Sequence, residues 1–206
     1  MAAFLTFFLL EPVLDSMRSQ LPLAVSLAVV LLILTLYLSG VLKLKSKSAV
    51  AAILLAFAGL LIEHLNHAGD LAYHSHFLSF LGYAFYFYFA FYSVKELLVK
   101  LFTEKTVGLD TIAGGIFAYF LIGILWVVLY RMVLQMDPAA FDKSTGGAIF
   151  YFSYSTLTTL GYGDILPINH YARILAALEA IVGQIFLAIF IGRLVGLYIT
   201  REVQKG

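Results

Sequence analysis

The sequence predicts an all-α integral membrane protein with five transmembrane helices, one short re-entrant helix and a loop that follows it. Three observations carry that expectation. Hydrophobic residues make up 62% of the 206-residue chain, against about 45–50% in average globular domains. Only 12% of residues are charged, and they gather in short clusters between long uncharged runs that water could not solvate. Those runs approach the roughly 20 apolar residues that a helix needs to cross about 30 Å of hydrocarbon. A soluble enzyme is thereby largely excluded. The formal net charge of +1 gives no basic excess that would imply nucleic acid. The absence of cysteine removes disulfides, thiolate metal sites and cysteine nucleophiles together.

The expected spans are residues 21–42, 48–66, 76–94, 111–133 and 171–199. The second has a short uncharged core, Ala49 to Ile62, and must carry Glu63 and His64 near an interface. Residues 1–14 are too short to cross and are stopped by Glu11 and Pro12, so an interfacial segment is expected over residues 1–20. The third span has ten aromatic residues among the eighteen from Phe77 to Val94 and no charge. Lipid contact and helix packing account for such a composition; a specific lipid or ligand groove is the alternative.

Orientation follows from the lysines. Lys43, Lys45 and Lys47 lie between spans one and two, and Lys95, Lys100 and Lys105 between spans three and four, so both loops are expected in the cytoplasm. With Arg193, Arg201 and Lys205, nine of the thirteen basic residues then fall on one side. The N-terminus is expected outside and the C-terminus inside, in the plasma membrane.

Between spans four and five lies a stretch too polar and glycine-rich to cross. Gly146 to Thr158 is helix-sized, roughly 20 Å long, enough to enter a membrane but not to traverse it. Asp142 or Ser144 is placed to cap its start. Irregular backbone follows, and at membrane depth such backbone survives only where it lines a cavity or is buried in protein.

Thr158-Thr159-Leu160-Gly161-Tyr162-Gly163-Asp164 resembles the signature of the tetrameric potassium channels, and the similarity runs from about residue 112 to residue 200. The resemblance implies an outer helix (111–133), a pore helix (146–158), a filter (159–164) and an inner helix (171–199) within a pore domain of residues 111–200. Residues 21–94 then form a three-helix accessory region, 95–110 a cytoplasmic linker and 201–206 a short tail. Thr159, Leu160, Gly161, Tyr162 and Gly163 are the implied potassium-binding residues, and four chains complete each ring of oxygens. Stripping water from a cation requires such replacement oxygens. Aiming successive carbonyls at one axis calls for positive φ, which glycine adopts without a Cβ penalty, hence Gly161 and Gly163. Leu160 and Tyr162 are expected to pack against surrounding helices.

Asp164 at the outer mouth either concentrates cations or anchors the strand. Tyr151 stands where the family often has tryptophan, so its hydroxyl is the expected partner of Asp164. Ser155 stands where some bacterial members carry glutamate, and Thr158 closes the pore helix. By resemblance Gly183 is a hinge in the inner helix; close packing of small residues is the competing account. Gln184, Leu187, Ala188, Ile191 and Val195 recur at helical spacing and are expected to line the cavity, with Ile191 or Val195 closing it by dewetting. Glu179 lies within a span and should be partnered, by pore-helix backbone or Thr158.

No span carries the regularly spaced arginines that a voltage sensor requires. Only six residues follow Thr200, so gating is expected to act within the membrane or through a separate regulatory subunit. The expected partners are three further copies of the chain and membrane lipids, and no cofactor is expected beyond potassium ions in the filter. His64, His67, His74 and His76 fall in one external loop with Glu63 and Asp70. They offer a zinc or copper site, a pH sensor, or an ordinary polar connection. Rival functions are a nonselective cation channel and a metal transporter or membrane metalloenzyme built on those histidines.

Overall fold

The computed structural model describes residues 50–51, 53–59, 76–104, 108–143 and 146–203. Four helices follow one another: α1 His76–Thr103, α2 Leu109–Met136, α3 Gly146–Leu157 and α4 His170–Val203. Residues 50–51 and 53–59 are helical as well. Leu109–Met136 and His170–Thr200 are long and apolar enough to cross a membrane. The predicted span 21–42 and most of 48–66 lie outside the described residues.

Helix α1 runs past the predicted end at Val94 and takes up most of the stretch expected as a linker over 95–110. The reason is packing. Tyr86, Phe89, Ala90, Ser93, Leu97 and Leu101 recur at helical spacing and are all buried, so the face that α1 turns to α2 continues beyond Lys95. Tyr88, Phe91, Val99 and Phe102 stay exposed on the other side. The aromatic span is thus split between a packing face and an outer face. The helical residues 53–59 approach α1 closely, since a Cβ on Gly59 would stand 3.0 Å from the Gly82 carbonyl oxygen.

Helix α2 packs on α1, α3 and α4, and so is the structural centre of the described fold. It begins at Gly108, whose amide donates to Thr111 Oγ1 at 3.3 Å. It ends where the Asp137 amide donates to Val133 O and Asp137 Oδ1 accepts from the Ala139 amide at 3.0 Å, an Asx turn that leaves the helix axis. Tyr130, Phe141 and Phe152 form a cluster of edge-on rings with centroids 5.1–5.5 Å apart, joining α2, the following loop and α3.

Asn169 starts α4 by accepting the Ala172 amide on Oδ1 at 2.8 Å while its Nδ2 donates to Asp137 Oδ2 at 2.9 Å. One side chain therefore caps α4 and ties it to the end of α2. On α4, Ala172, Glu179, Gly183, Phe186 and Phe190 face inward. Ile174, Leu178, Ile181, Ile185, Ile189 and Ile199 are exposed. At the far end, the Arg193 guanidinium donates to the Glu104 carbonyl oxygen and stands 5.4 Å from the Phe102 ring centre, linking α4 to the end of α1.

Candidate functional site

The site is the turn and extended stretch that follow α3. Helix α3 is twelve residues long and apolar, with Ile149, Phe152, Ser153, Tyr154, Ser155 and Leu157 buried. Before it, Asp142 Oδ1 accepts the Leu166 amide at 2.8 Å, and the Asp142 amide donates to Leu166 O at 3.1 Å. With the bridge between Phe141 and Pro167, these bonds fasten the loop before α3 to the segment after the site. Ser144 lies outside the described residues.

The C-terminal carbonyls of α3 are individually satisfied. Thr158 Oγ1 donates to Tyr154 O at 2.7 Å, the Gly161 amide to Ser155 O at 3.1 Å, the Thr159 amide to Thr156 O at 2.9 Å and Tyr119 Oη to Leu157 O at 3.0 Å. A helix end leaves such acceptors without intrahelical partners. Here the chain that follows, together with α2, supplies the donors and so fixes where the extended stretch begins.

From there the backbone alternates. Thr159, Gly161 and Gly163 have φ of 60°, 56° and 76°, whereas Leu160 and Tyr162 between them do not have positive φ. Alternating handedness along a strand turns successive carbonyls toward the same side instead of to opposite sides. The two glycines were expected at positive φ; Thr159 was not. A β-branched residue in that region is strained by about 1–2 kcal/mol. Its hydroxyl donates to its neighbour Thr158 O at 2.6 Å, and Gln184 Nε2 approaches that hydroxyl at 3.5 Å.

Thr158 to Asp164 are all exposed within the single chain, and Ile165 is the first buried residue after them. Leu160 and Tyr162, expected to pack against surrounding helices, are 56% and 71% exposed. The chain's own helices leave these side chains uncovered, because the stretch runs along the edge of the fold.

At its outer end, Tyr151 Oη donates to Asp164 Oδ1 at 3.1 Å, and Lys143 Nζ donates to the Asp164 carbonyl oxygen at 2.6 Å. The tyrosine was singled out in the sequence. Lys143 was not, and its only signal there was a lone basic residue ahead of a short apolar helix.

On α4, Gln184, Ala188, Ile191 and Val195 are exposed on one stripe, three and four residues apart, beginning beside Thr159. Leu187 departs from them and packs against the core. Gly183 is buried against the end of α3: a Cβ there would meet Leu157 O at 2.3 Å. Glu179 has neither of its expected partners. It accepts from Tyr130 Oη at 2.5 Å and pairs with Ser153 Oγ at 2.6 Å, while Thr158 bonds to the backbone of its own helix. Ser155 is buried beside the turn. His64, His67 and His74 lie outside the described residues, and His76 is described only as the first residue of α1.

Residues 109–199 match the family described as "Ion channel". Among curated proteins, the chain is 45% identical over 89 residues to "Inward rectifier potassium channel Kirbac3.1" of Paramagnetospirillum magnetotacticum, covering 43% of this chain and 27% of that protein. It is 24% identical over 103 residues to "Two pore potassium channel a" of Oryza sativa subsp. japonica, covering 50% of this chain and 28% of that protein. The matched stretches thus span little more than a quarter of either relative. No solved structure gives a significant match.

Proposed function

We propose, from the match of residues 109–199 to the family described as "Ion channel", that the protein is a potassium-selective channel. It conducts passively, through a filter of Thr159, Leu160, Gly161, Tyr162 and Gly163 contributed by each of four identical chains. The observation that carries the reading is the alternating positive φ at Thr159, Gly161 and Gly163 in a stretch that its own chain leaves exposed. Carbonyls turned to one side replace the hydration shell of a dehydrated cation only when other copies complete the ring. The bare Leu160 and Tyr162 side chains then find cover against neighbouring subunits. The names of the two curated relatives favour potassium over other cations.

In this arrangement α2 is the outer helix, α3 the pore helix and α4 the inner helix. Tyr151 and Lys143 hold Asp164 at the outer mouth, Ser155 and Thr158 support the turn beneath the filter, and Gln184, Ala188, Ile191 and Val195 line the cavity. Gly183 is a packing contact against the end of α3. The lysine distribution puts the N-terminus outside and the C-terminus in the cytoplasm of a plasma-membrane protein, with lipid on the outer faces.

The deciding experiment is the reversal potential of the full chain in lipid bilayers under opposed potassium and sodium gradients. A reversal potential near the potassium equilibrium value supports the proposal. Equal permeability replaces it with a nonselective cation channel. Chemical cross-linking should give a ladder that ends at four chains, and one that ends at two would sink the tetramer.

A further inference from the structure

A carboxyl group is buried where α2, α3 and α4 meet. Glu179, in the inward face of α4, is fully buried. Its hydrogen-bond partners are two hydroxyls, Tyr130 Oη at 2.5 Å from Oε2 and Ser153 Oγ at 2.6 Å from Oε1. Among the described residues no lysine, arginine or histidine makes an ion pair with it. The other titratable groups that face it, Tyr119 and Tyr154, spend their hydroxyl protons on the carbonyls of Leu157 and Phe120.

Counting protons decides how the site is wired. Ser153 Oγ also stands 3.0 Å from the Gly123 carbonyl oxygen, and a carbonyl only accepts. A serine hydroxyl has one hydrogen. Against an ionised carboxylate, that one hydrogen would face two acceptors, and one of the two short oxygen contacts would be left with no hydrogen between its atoms. Against a neutral carboxylic acid, Glu179 donates to Ser153, Ser153 donates to Gly123 O, and Tyr130 donates to Glu179. Three hydrogens then serve three contacts. An unpaired charge in this dry position would carry a desolvation cost of several kcal/mol.

We propose that Glu179 is a neutral acid in the folded protein and acts as a positioning residue, its proton closing a three-bond clamp from α4 through Ser153 of α3 to Gly123 of α2. The clamp lies on the same seam as the contact between Gly183 and Leu157. Glu179 and Gly183 are one helical turn apart on α4, and Ser153 and Leu157 are one turn apart on α3. The two contacts together set the height at which α3 delivers Thr159. That last role rests on the filter reading; the protonation state does not.

The test is infrared spectroscopy of the full chain in lipid at neutral pH, with ion flux measured on the same preparations. The parent should show the carbonyl-stretch band of a protonated carboxylic acid, lost in Glu179→Gln and shifted in Ser153→Ala, which removes its acceptor. Glutamine can donate to Ser153 and accept from Tyr130, so Glu179→Gln should keep the potassium-to-sodium preference within about twofold. Glu179→Ala should lower it about tenfold or more, the scale of one buried group left without its partner. A parent spectrum with no protonated-acid band overturns the proposal even where the alanine variant fails to assemble. So does a glutamine variant as impaired as the alanine one. A parent that shows the band but carries no potassium current defeats the channel reading and leaves the protonation assignment standing.

Discussion

Replacing Gly183 with alanine separates two accounts of the same residue by the sign of the effect. If Gly183 is a hinge with space around it, alanine improves the helix by up to about 1 kcal/mol, because glycine loses more backbone entropy on folding. The structure argues for the other sign. An alanine Cβ would lie 2.3 Å from Leu157 O and 3.0 Å from Leu157 Cδ1, where ordinary contact begins at 3.4 Å. The obstacle is a backbone carbonyl held by Tyr119 at 3.0 Å, not the end of a flexible side chain. The seam between α3 and α4 must therefore open by about 1 Å. Overpacking of this kind costs about 1–3 kcal/mol, and a backbone obstacle belongs in the upper half of that range. Set against the gain in helix propensity, a net loss of about 1–2 kcal/mol is expected. The assay is the thermal midpoint of the purified protein in detergent or lipid, measured with the potassium-to-sodium permeability ratio of the same sample. Both should fall, because Leu157 is two residues before Thr159. An equal or higher midpoint, with altered open times and normal selectivity, would refute the packing argument and restore the hinge.

Gly161→Ala should abolish selective conduction although a Cβ there meets nothing within 4 Å; the penalty is the left-handed backbone at φ 56°, about 1–2 kcal/mol per chain, and retained selectivity in single-channel records would contradict it. Tyr151→Phe removes the bond to Asp164 Oδ1 and should loosen the outer mouth, read as faster loss of current during sustained opening; unchanged current decay would leave that bond without a role. Arg193→Ala releases the end of α1 from α4 and should change open probability while leaving the permeability ratio as in the parent; a change in the ratio alone would mean that the contact acts on the filter. Conductance should depend weakly on voltage, since the charges of α1 are Lys95, Glu96 and Lys100 near its end; several elementary gating charges per channel in a current-voltage series would show a charged helix elsewhere.

Hydropathy and charge placement sufficed to read α2 and α4 as helices long and apolar enough to cross a membrane and α3 as a helix too short to do so. Local sterics sufficed to single out Gly161 and Gly163. Those are properties of a residue and its near neighbours along the chain, so they are visible in the letters. The end of α1 was not visible there, because Lys95 marked a plausible interface and only burial of Leu97 and Leu101 against α2 carries the helix on to Thr103. The left-handed backbone of Thr159 was hidden for the same reason: a β-branched residue avoids that region unless surrounding bonds impose it. Glu179 announced that it needed partners, but Ser153 is 26 residues away and Tyr130 is 49. Which hydroxyl reaches a buried carboxyl depends on how three helices settle against one another. The choice between hinge and contact at Gly183 depended on where the end of α3 comes to rest, because a missing side chain is a freedom in one setting and a fitted space in another.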